Sequence, residues 1–250
     1  MNTEKFTGKA SAYEKYRPAY PEEFIDYLYS QAGFKKESVI ADIGSGTGIL
    51  SGQLLERGNR VLCVEPNADM RQKAEKNLSG YSNFSSVDGT DENTGLNDNS
   101  VDFITVAQAF HWFNTVGFRK ECRRVLKPGG KVVLVWNSRA AGSEIVIENA
   151  AICRRFCPAF KGFSGGEKND IDTFAVFFKN GIFENKNFEN NMAYDLENFI
   201  GRNLSSSYAP KENEGNYEGF AAELTRLFEK YKQKNKIVMP NITRCYIGEV

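Results

Sequence analysis

The segment VIADIGSGTGILSGQL, Val39 to Leu54, leaves the chain few choices of fold. A β-preferring run, Val39-Ile40-Ala41, leads into Asp42, and glycines then alternate at 44, 46 and 48. Leu50, Leu54 and Leu55 follow at helical spacing. The pattern reads as strand, glycine turn and helix, the opening of a βαβ unit in which a ligand can come close to the helix N-terminus. The dinucleotide fingerprint GxGxxG would need its third glycine at position 49, which is isoleucine here. GxGxG therefore suits a pyrophosphate poorly.

The same alternation continues downstream. A helix is expected over PEEFIDYLYSQAG, with Pro21 at its start, Phe24, Tyr27 and Leu28 inward and Gly33 closing it. RVLCVEPN is a buried strand ending on Glu65, ADMRQKAEKNL a helix, FSSVDGT a short strand and SVDFITVAQAF a fourth strand. FRKECRRVL is a helix with Phe118, Cys122, Val125 and Leu126 inward, after which KPGG turns into the strand KVVLVW. Strands and helices at this interval imply a parallel sheet flanked by helices. After Trp136 the rhythm breaks. Residues 140–182 read as helical and irregular with a Gly-rich kink at KGFSGGEKND, and FENKNFENNMAYD reads as a strand. YEGFAAELTRLFEKYKQKNK is a helix whose KQKNK run is its solvated end, and IVMPNITRCYIGEV is a last strand. A late helix between two strands suits an antiparallel pair at the sheet edge.

The charges balance, 32 basic against 32 acidic with one histidine, which argues against a large footprint for nucleic acid or an anionic membrane. The first twenty residues hold no apolar core of signal-peptide length, and no later run reaches the ~20 apolar residues of a membrane span. A soluble, cytoplasmic chain is expected. Cysteines 63, 122, 153, 157 and 245 form no CxxC pair and have the only histidine far away in sequence, so reduced thiols and no metal site are expected.

In an open α/β sheet, ligands sit beyond the carboxyl ends of the strands. Three acids are placed there: Asp42 after the first strand, Glu65 after the second and Asp88 after the third. Together they repel pyrophosphate and suit a ligand with an ammonium, a sulfonium, ribose hydroxyls and an adenine amine. A carboxylate at Glu65 accepts two ribose hydroxyls, and Asp88 can accept from the adenine amine. S-adenosylmethionine is the ligand that fits.

With those residues in view, segment 39–136 resembles the class I SAM-dependent methyltransferases, in particular the small-molecule group of type 11. The matching motifs are DIGSGTG, VLCVEPN, VDGT, the run TGLNDNSVDFITVAQAFHWF and RRVLKPGG; SAYEKYRPAYP and GRNLSSSYAP resemble segments outside that core. The resemblance implies a Rossmann-like seven-stranded mixed sheet, mostly parallel with an antiparallel edge strand, helices on both faces and helical lid insertions. It implies one domain over 1–250: an N-terminal arm and helix (1–33), a cofactor-binding core (34–137), lid and acceptor insertions (138–182 and 196–235) and a last strand (236–250). For the cofactor it implies Asp42, Gly44, Ser45 and Gly46 at the methionine end, Glu65 at the ribose, Asp88 and Gly89 at the adenine, and Gln108 near the methionine moiety. Tyr13, Tyr16 and Arg17 would fold over it, or else pack the arm onto the domain.

The acceptor would be a small molecule facing the loop after the fourth strand. An aromatic wall there suits a sulfonium. His111 is a candidate general base; Trp112, Tyr16 and Arg17 are candidate walls, and Arg139 or Arg202 a candidate carboxylate anchor or a plain surface charge. Phe110 and Phe113 read partly as core. Methyl transfer asks chiefly for alignment and exclusion of water, and no metal. A nicotinamide oxidoreductase is opposed by Ile49 and the three acids, and a nucleic-acid methyltransferase by the missing basic face and the absence of Asn-Pro-Pro-Tyr. A SAM-binding regulator without activity is the remaining alternative. The oligomeric state is not read from the sequence.

Overall fold

Pro21, with φ near −67°, precedes the first helix without wasting a donor, and Glu22 and Glu23 sit favourably in its first turn. The structure is a computed structural model that describes residues 18–163, 171–206 and 208–250. In chain order the elements are α1 (Glu22–Ser30), β1 (Val39–Ile43), α2 (Ile49–Glu56), β2 (Arg60–Val64), α3 (Ala68–Leu78) and β3 (Phe84–Val87). Then come β4 (Val101–Ala107), α4 (Thr115–Val125), β5 (Leu126–Arg139), α5 (Glu144–Phe156) and α6 (Ile171–Phe177). The chain continues with β6 (Glu184–Glu189), β7 (Met192–Tyr194), α7 (Leu196–Leu204), α8 (Tyr217–Tyr231), β8 (Ile237–Met239) and β9 (Asn241–Gly248). Side-chain oxygens of Asn67, Asn114 and Asp195 cap α3, α4 and α7 by accepting an amide three residues on.

Seven strands form one mixed sheet in the order β3-β2-β1-β4-β5-β9-β6. β1 to β5 run parallel, and β9 runs against both β5 and β6. The expected antiparallel pairing at one edge is thus β9 with β6, and the reversed strand lies inside the outermost one. Order reverses between β1 and β4, which opens a crevice at their carboxyl ends.

Each face has its own core. α1 and α2 cover one face, where Phe24, Leu28, Leu50 and Leu54 meet Ile40, Val61 and Val133. α4 and α6 cover the other, where Phe118, Cys122 and Phe177 meet Ile43, Ile104 and Leu134. A third core lies outside the sheet: α5, α7 and α8 close around Cys153, Phe199, Phe220, Leu224 and Phe228, with Ile237 and Met239 from the small β7–β8 sheet.

Two local expectations are revised. KPGG turns as expected, with Gly129 at φ 78° after Pro128, but it loops out from within β5, which already begins at Leu126. Pairing runs from Val101↔Leu126 to Phe103↔Lys131, so β5 spends five residues where β4 spends two. KQKNK is solvent-exposed, but α8 has already ended at Tyr231. Gln233 and Lys236 bridge across a tight turn in which Lys234 and Asn235 take φ of 48° and 61°, the left-handed conformation that a two-residue reversal needs.

Phe118 is central to the second core: its ring stacks on Phe177 at 5.5 Å and meets Phe110 and Phe113 edge-on. Phe118→Ala should cost about 3–5 kcal/mol in chemical denaturation, the range for deleting a buried phenyl ring. A loss below 1 kcal/mol would show that this core tolerates the cavity.

Candidate active site

Asp42 is the penultimate residue of β1, on the face shared with Ile40, and it is fully buried. Its neighbours in register are Cys63 on β2 and Thr105 on β4. One carboxylate oxygen accepts from Thr105 Oγ1 at 2.8 Å and the other from Ser51 Oγ at 2.6 Å. The acid therefore ties β1 to β4 and to the helix that follows the glycine turn. Burial pushes its pKa up to about 6, against the two hydroxyl donors, which pull it down. Both oxygens are buried and each accepts one hydroxyl, so Asp42 braces the loop from below.

The turn itself is fastened to β2, since Gly44 and Ser45 donate their N–H groups to the Val64 carbonyl at 2.8 and 3.3 Å. Two of its glycines have different reasons to be glycine. Gly48, at φ 83°, packs on α3 so tightly that a Cβ would stand 2.7 Å from Leu78 Cδ1. Gly46, at φ 59°, faces open space, with nothing within 4 Å of where a Cβ would be. Beside it, the Ser45 and Thr47 hydroxyls are buried without a hydrogen-bond partner among the described residues. Open backbone flanked by unsatisfied hydroxyls is what a closely held polar ligand requires.

Glu65 stands at the end of β2 with one carboxylate oxygen accepting from Gly46 N–H and the other from Asn67 N–H, both at 2.9 Å. Burial raises its pKa; the amides of Asn67 and Gly46 and the charge of Arg71 oppose that. Each oxygen keeps a lone pair for a further donor. Asp88 is exposed after β3 and pairs with Arg71 Nη2 at 3.1 Å, while Arg71 Nη1 holds the Glu65 carbonyl at 2.8 Å. Arg71 thus links the two acids. Gly89 is required by packing, because a Cβ there would lie 2.6 Å from the Thr94 carbonyl oxygen.

Gln108 follows β4 at φ 59°, a costly conformation for a side-chain-bearing residue and one concentrated at functional sites. Its N–H donates to Val135 O at 2.9 Å and its Nε2 to Asn137 O at 3.0 Å. Asn137, at the same edge of β5, reaches the carbonyls of Pro18 and Ala19 at 3.3 Å and accepts from Asn190 and Thr243. Tyr20 and Gln53 exchange two hydrogen bonds, at 2.7 and 3.0 Å, so residues 18–20 run from β5 to α2 along this edge. Tyr13, Tyr16 and Arg17 lie outside the described residues.

Phe110, His111 and Trp112 form a single 3-10 turn. Phe110 and Phe113 are buried on the Phe118–Phe177 stack, which leaves His111 and Trp112 at the surface, ring centroids 4.7 Å apart. Arg139 is buried rather than a surface charge. Its Nη1 donates to Asn149 Oδ1, its Nη2 to Asn203 Oδ1 at 3.2 Å, and its guanidinium lies 3.8 Å from the centre of the Phe163 ring. Arg202 is half-buried in the last turn of α7.

The crevice end of the sheet therefore gathers the glycine turn, Asp42, Glu65, Asp88 and Gln108, with His111 and Trp112 on the neighbouring turn. Sequence reasoning did not single out Ser51, Thr105, Arg71 or Asn137. Thr105 gave a signal, a hydroxyl inside the apolar run of β4; Asn137 is visible only once β5 is known to run on past Trp136 beside β9.

A family model for a methyltransferase domain, type 11, matches residues 41–134. Residues 41–134 are a methyltransferase domain of that type. An uncharacterized methyltransferase of Mycobacterium tuberculosis is 41% identical over 134 residues, 54% of this chain and 52% of its own length. One from Schizosaccharomyces pombe is 33% identical over 131 residues, 51% and 50% of the two chains. The match thus spans about half the length of these curated relatives. A structure from Anaeromyxobacter dehalogenans, described as a candidate type II methyltransferase, superposes with a TM-score of 0.66 at 22% identity, covering 93% of this chain and 97% of that one. A phosphoethanolamine N-methyltransferase from Haemonchus contortus, solved with phosphomonomethylethanolamine and S-adenosylhomocysteine, superposes at 0.53 with 17% identity, covering 98% and 58%. The methyltransferase domain thus carries the glycine turn, Asp42, Glu65, Asp88, Gln108, His111 and Trp112, and Arg139 lies just beyond it.

The Asp42 carboxyl makes the stability of this domain depend on pH. Between its unfolded value of 3.8 and its folded value of about 6, the folded chain retains a proton that the unfolded chain has released. Stability from this group is full below the unfolded value, falls as pH rises through the window and is level above it. Asp42→Asn removes the titration. Relative to wild type, the unfolding free energy of the variant should improve on the order of 3 kcal/mol from pH 3.5 to pH 7. Parallel pH profiles in urea titrations would refute the assignment.

Proposed function

We propose that this chain transfers a methyl group from S-adenosylmethionine to a small-molecule acceptor. The observation that carries the reading is the pairing of the open Gly46 turn with Glu65, whose oxygens are oriented by two backbone amides and still have lone pairs to offer. Glu65 would accept both ribose hydroxyls, and Asp88, steadied by Arg71, would accept from the adenine amine. The Ser45 and Thr47 hydroxyls and the Gly46 backbone would meet the methionine end, with Gln108 beside it. The phosphoethanolamine methyltransferase that superposes on this chain was solved with S-adenosylhomocysteine, which supports the same cofactor here.

When bound, the cofactor supplies a sulfonium methyl: an acceptor lone pair forms the new bond to carbon as the carbon–sulfur bond breaks and its electrons return to sulfur. The chain's own part is alignment. Asp42 would hold the turn rigid through Ser51 and Thr105, and the Gln108–Asn137 bond would fix the edge over which the acceptor approaches. Residues 18–20 and the helical third core would close that edge and exclude water, a gain in alignment and electrostatics together. Trp112 would offer an aromatic wall near the sulfonium. We assign His111 a positioning role in this wall. Five buried free thiols support a reducing compartment such as the cytoplasm.

Isothermal titration with S-adenosylhomocysteine tests the cofactor. Binding at micromolar order or tighter is expected, and Glu65→Gln should weaken it at least tenfold, since hydrogen bonds to a charged acceptor contribute about 1.5–3 kcal/mol. Unchanged affinity in that variant would remove Glu65 from the ribose. His111→Ala should lower the chemical step less than tenfold with cofactor affinity unchanged. A fall of ~10²–10⁴ would instead make His111 the general base.

A further inference from the structure

Where β5 leaves the sheet, four elements bring polar groups into an otherwise apolar core. Arg139 ends the strand two residues beyond Asn137 and on the same side, about 7 Å farther along. Asn149 and Cys153 come from α5, Asn203 from the end of α7, and Phe160, Phe163 and Tyr208 from the connecting loops. Arg139, Asn149, Cys153 and Asn203 are buried. The rings stand in a chain, Phe163 to Phe160 at 5.1 Å and Phe160 to Tyr208 at 4.9 Å, with the Arg139 guanidinium against the first.

The amide orientations here are forced. Asn203 donates Nδ2 to the Phe199 carbonyl at 2.9 Å, which turns its oxygen to Arg139 Nη2. Asn149 must present Oδ1 to Arg139 Nη1, because the opposite flip would set two donors against each other. That leaves Asn149 Nδ2, on a fully buried residue, with no hydrogen-bond partner among the described residues. A buried donor left in that state is costly, and it sits beside a guanidinium. Burial raises the Tyr208 pKa, while the charges of Arg139 and Arg202 pull it down, so both cations act on the phenol oxygen. An orphan amide donor, a buried guanidinium, a phenol and a row of rings are a set of groups suited to a flat or short apolar group that ends in an anion able to accept two bonds. A carboxylate has that shape and is held best by a guanidinium with a second donor.

We propose that the methyl acceptor bears a carboxylate, anchored by Arg139 and the Asn149 amide, with its apolar part against Phe160 and Phe163. This rests on the methyl-transfer reading and narrows its substrate class. The carboxylate is the handle by which the acceptor is held, at the end of β5 next to the Gln108–Asn137 edge. Asn149 and Asn203 are positioning residues for the guanidinium, and Asn149 also donates to the ligand.

The test begins with S-adenosylhomocysteine titrated into the full chain. Absence of binding would end the methyl-transfer reading itself. On the loaded protein, benzoate, octanoate and succinate are then titrated, with benzamide as the neutral counterpart of benzoate. At least one carboxylate should bind, and benzoate at least tenfold more tightly than benzamide if it is that one. Asn149→Asp provides the decisive variant, because it is nearly isosteric and places a carboxylate of the chain's own against Arg139. It should melt at or above the wild-type temperature, keep its S-adenosylhomocysteine affinity and lose carboxylate binding at least tenfold. Arg139→Gln should lose carboxylate binding likewise, with the cofactor titration as its folding control. The proposal is overturned if no carboxylate binds the loaded wild type, if benzamide equals benzoate, or if Asn149→Asp binds cofactor and carboxylate as wild type does.

Discussion

The buried carboxylate of Asp42 is the point to which the rest of the site is fastened. It lies at the place where strand order reverses, and its two hydrogen bonds cross that place: one to β4 through Thr105, one to α2 through Ser51. Removing a carboxylate from water is expensive, and its raised pKa expresses that cost. In return, the first turn of α2 and the glycine turn before it are held against the sheet from beneath. Gly46 can then present bare backbone outward, and Glu65 can be aimed by the Gly46 N–H from the side. A looser turn would leave the same residues in the chain without one geometry.

Around that point the molecule divides its labour. The sheet and its two faces, packed on the leucines of α2 and the phenylalanines of α4 and α6, set the distances among the acids. The third core, built by α5, α7 and α8, is joined to the sheet at the carboxyl end of β5 through Arg139 with Asn149 and Asn203. Asn137, two residues earlier, binds Gln108, residues 18–19, β9 and Asn190 at once. One strand end thus couples the glycine-turn side of the crevice to the helices of the third core.

Much of this was legible because it is local. Val39–Leu54 read as strand, turn and helix because the β-run, the glycines and the leucine spacing all point the same way. Glu65 and Asp88 were visible as acids at strand ends. The strand pair that runs antiparallel at the edge followed from a helix lying between two late β-runs. The turn at KPGG was legible from its proline and glycines; that Leu126 before it already pairs with Val101 and so begins β5 was not. KQKNK failed for a related reason, since positive φ at Lys234 and Asn235 is imposed by the chain having to return into β8.

What the sequence determined by itself is the set of contacts between residues close along the chain: the βαβ start, the helix caps, the glycine turn and the acids that follow each strand. Those depend on backbone preference and side-chain period over a few residues. What only the tertiary structure decided is which polar groups are spent inside the fold and which remain for a ligand. Asp42 and Glu65 are both acids at strand ends, yet Asp42 is fully buried with Ser51 and Thr105 donating to it, while Glu65 is aimed by two backbone amides. Arg139 could be read as a surface charge and is buried against two asparagines from helices 10 and 64 residues away. Burial and hydrogen-bond satisfaction are properties of the packed chain, because the low-dielectric surroundings that give them their energy exist only after distant segments have met.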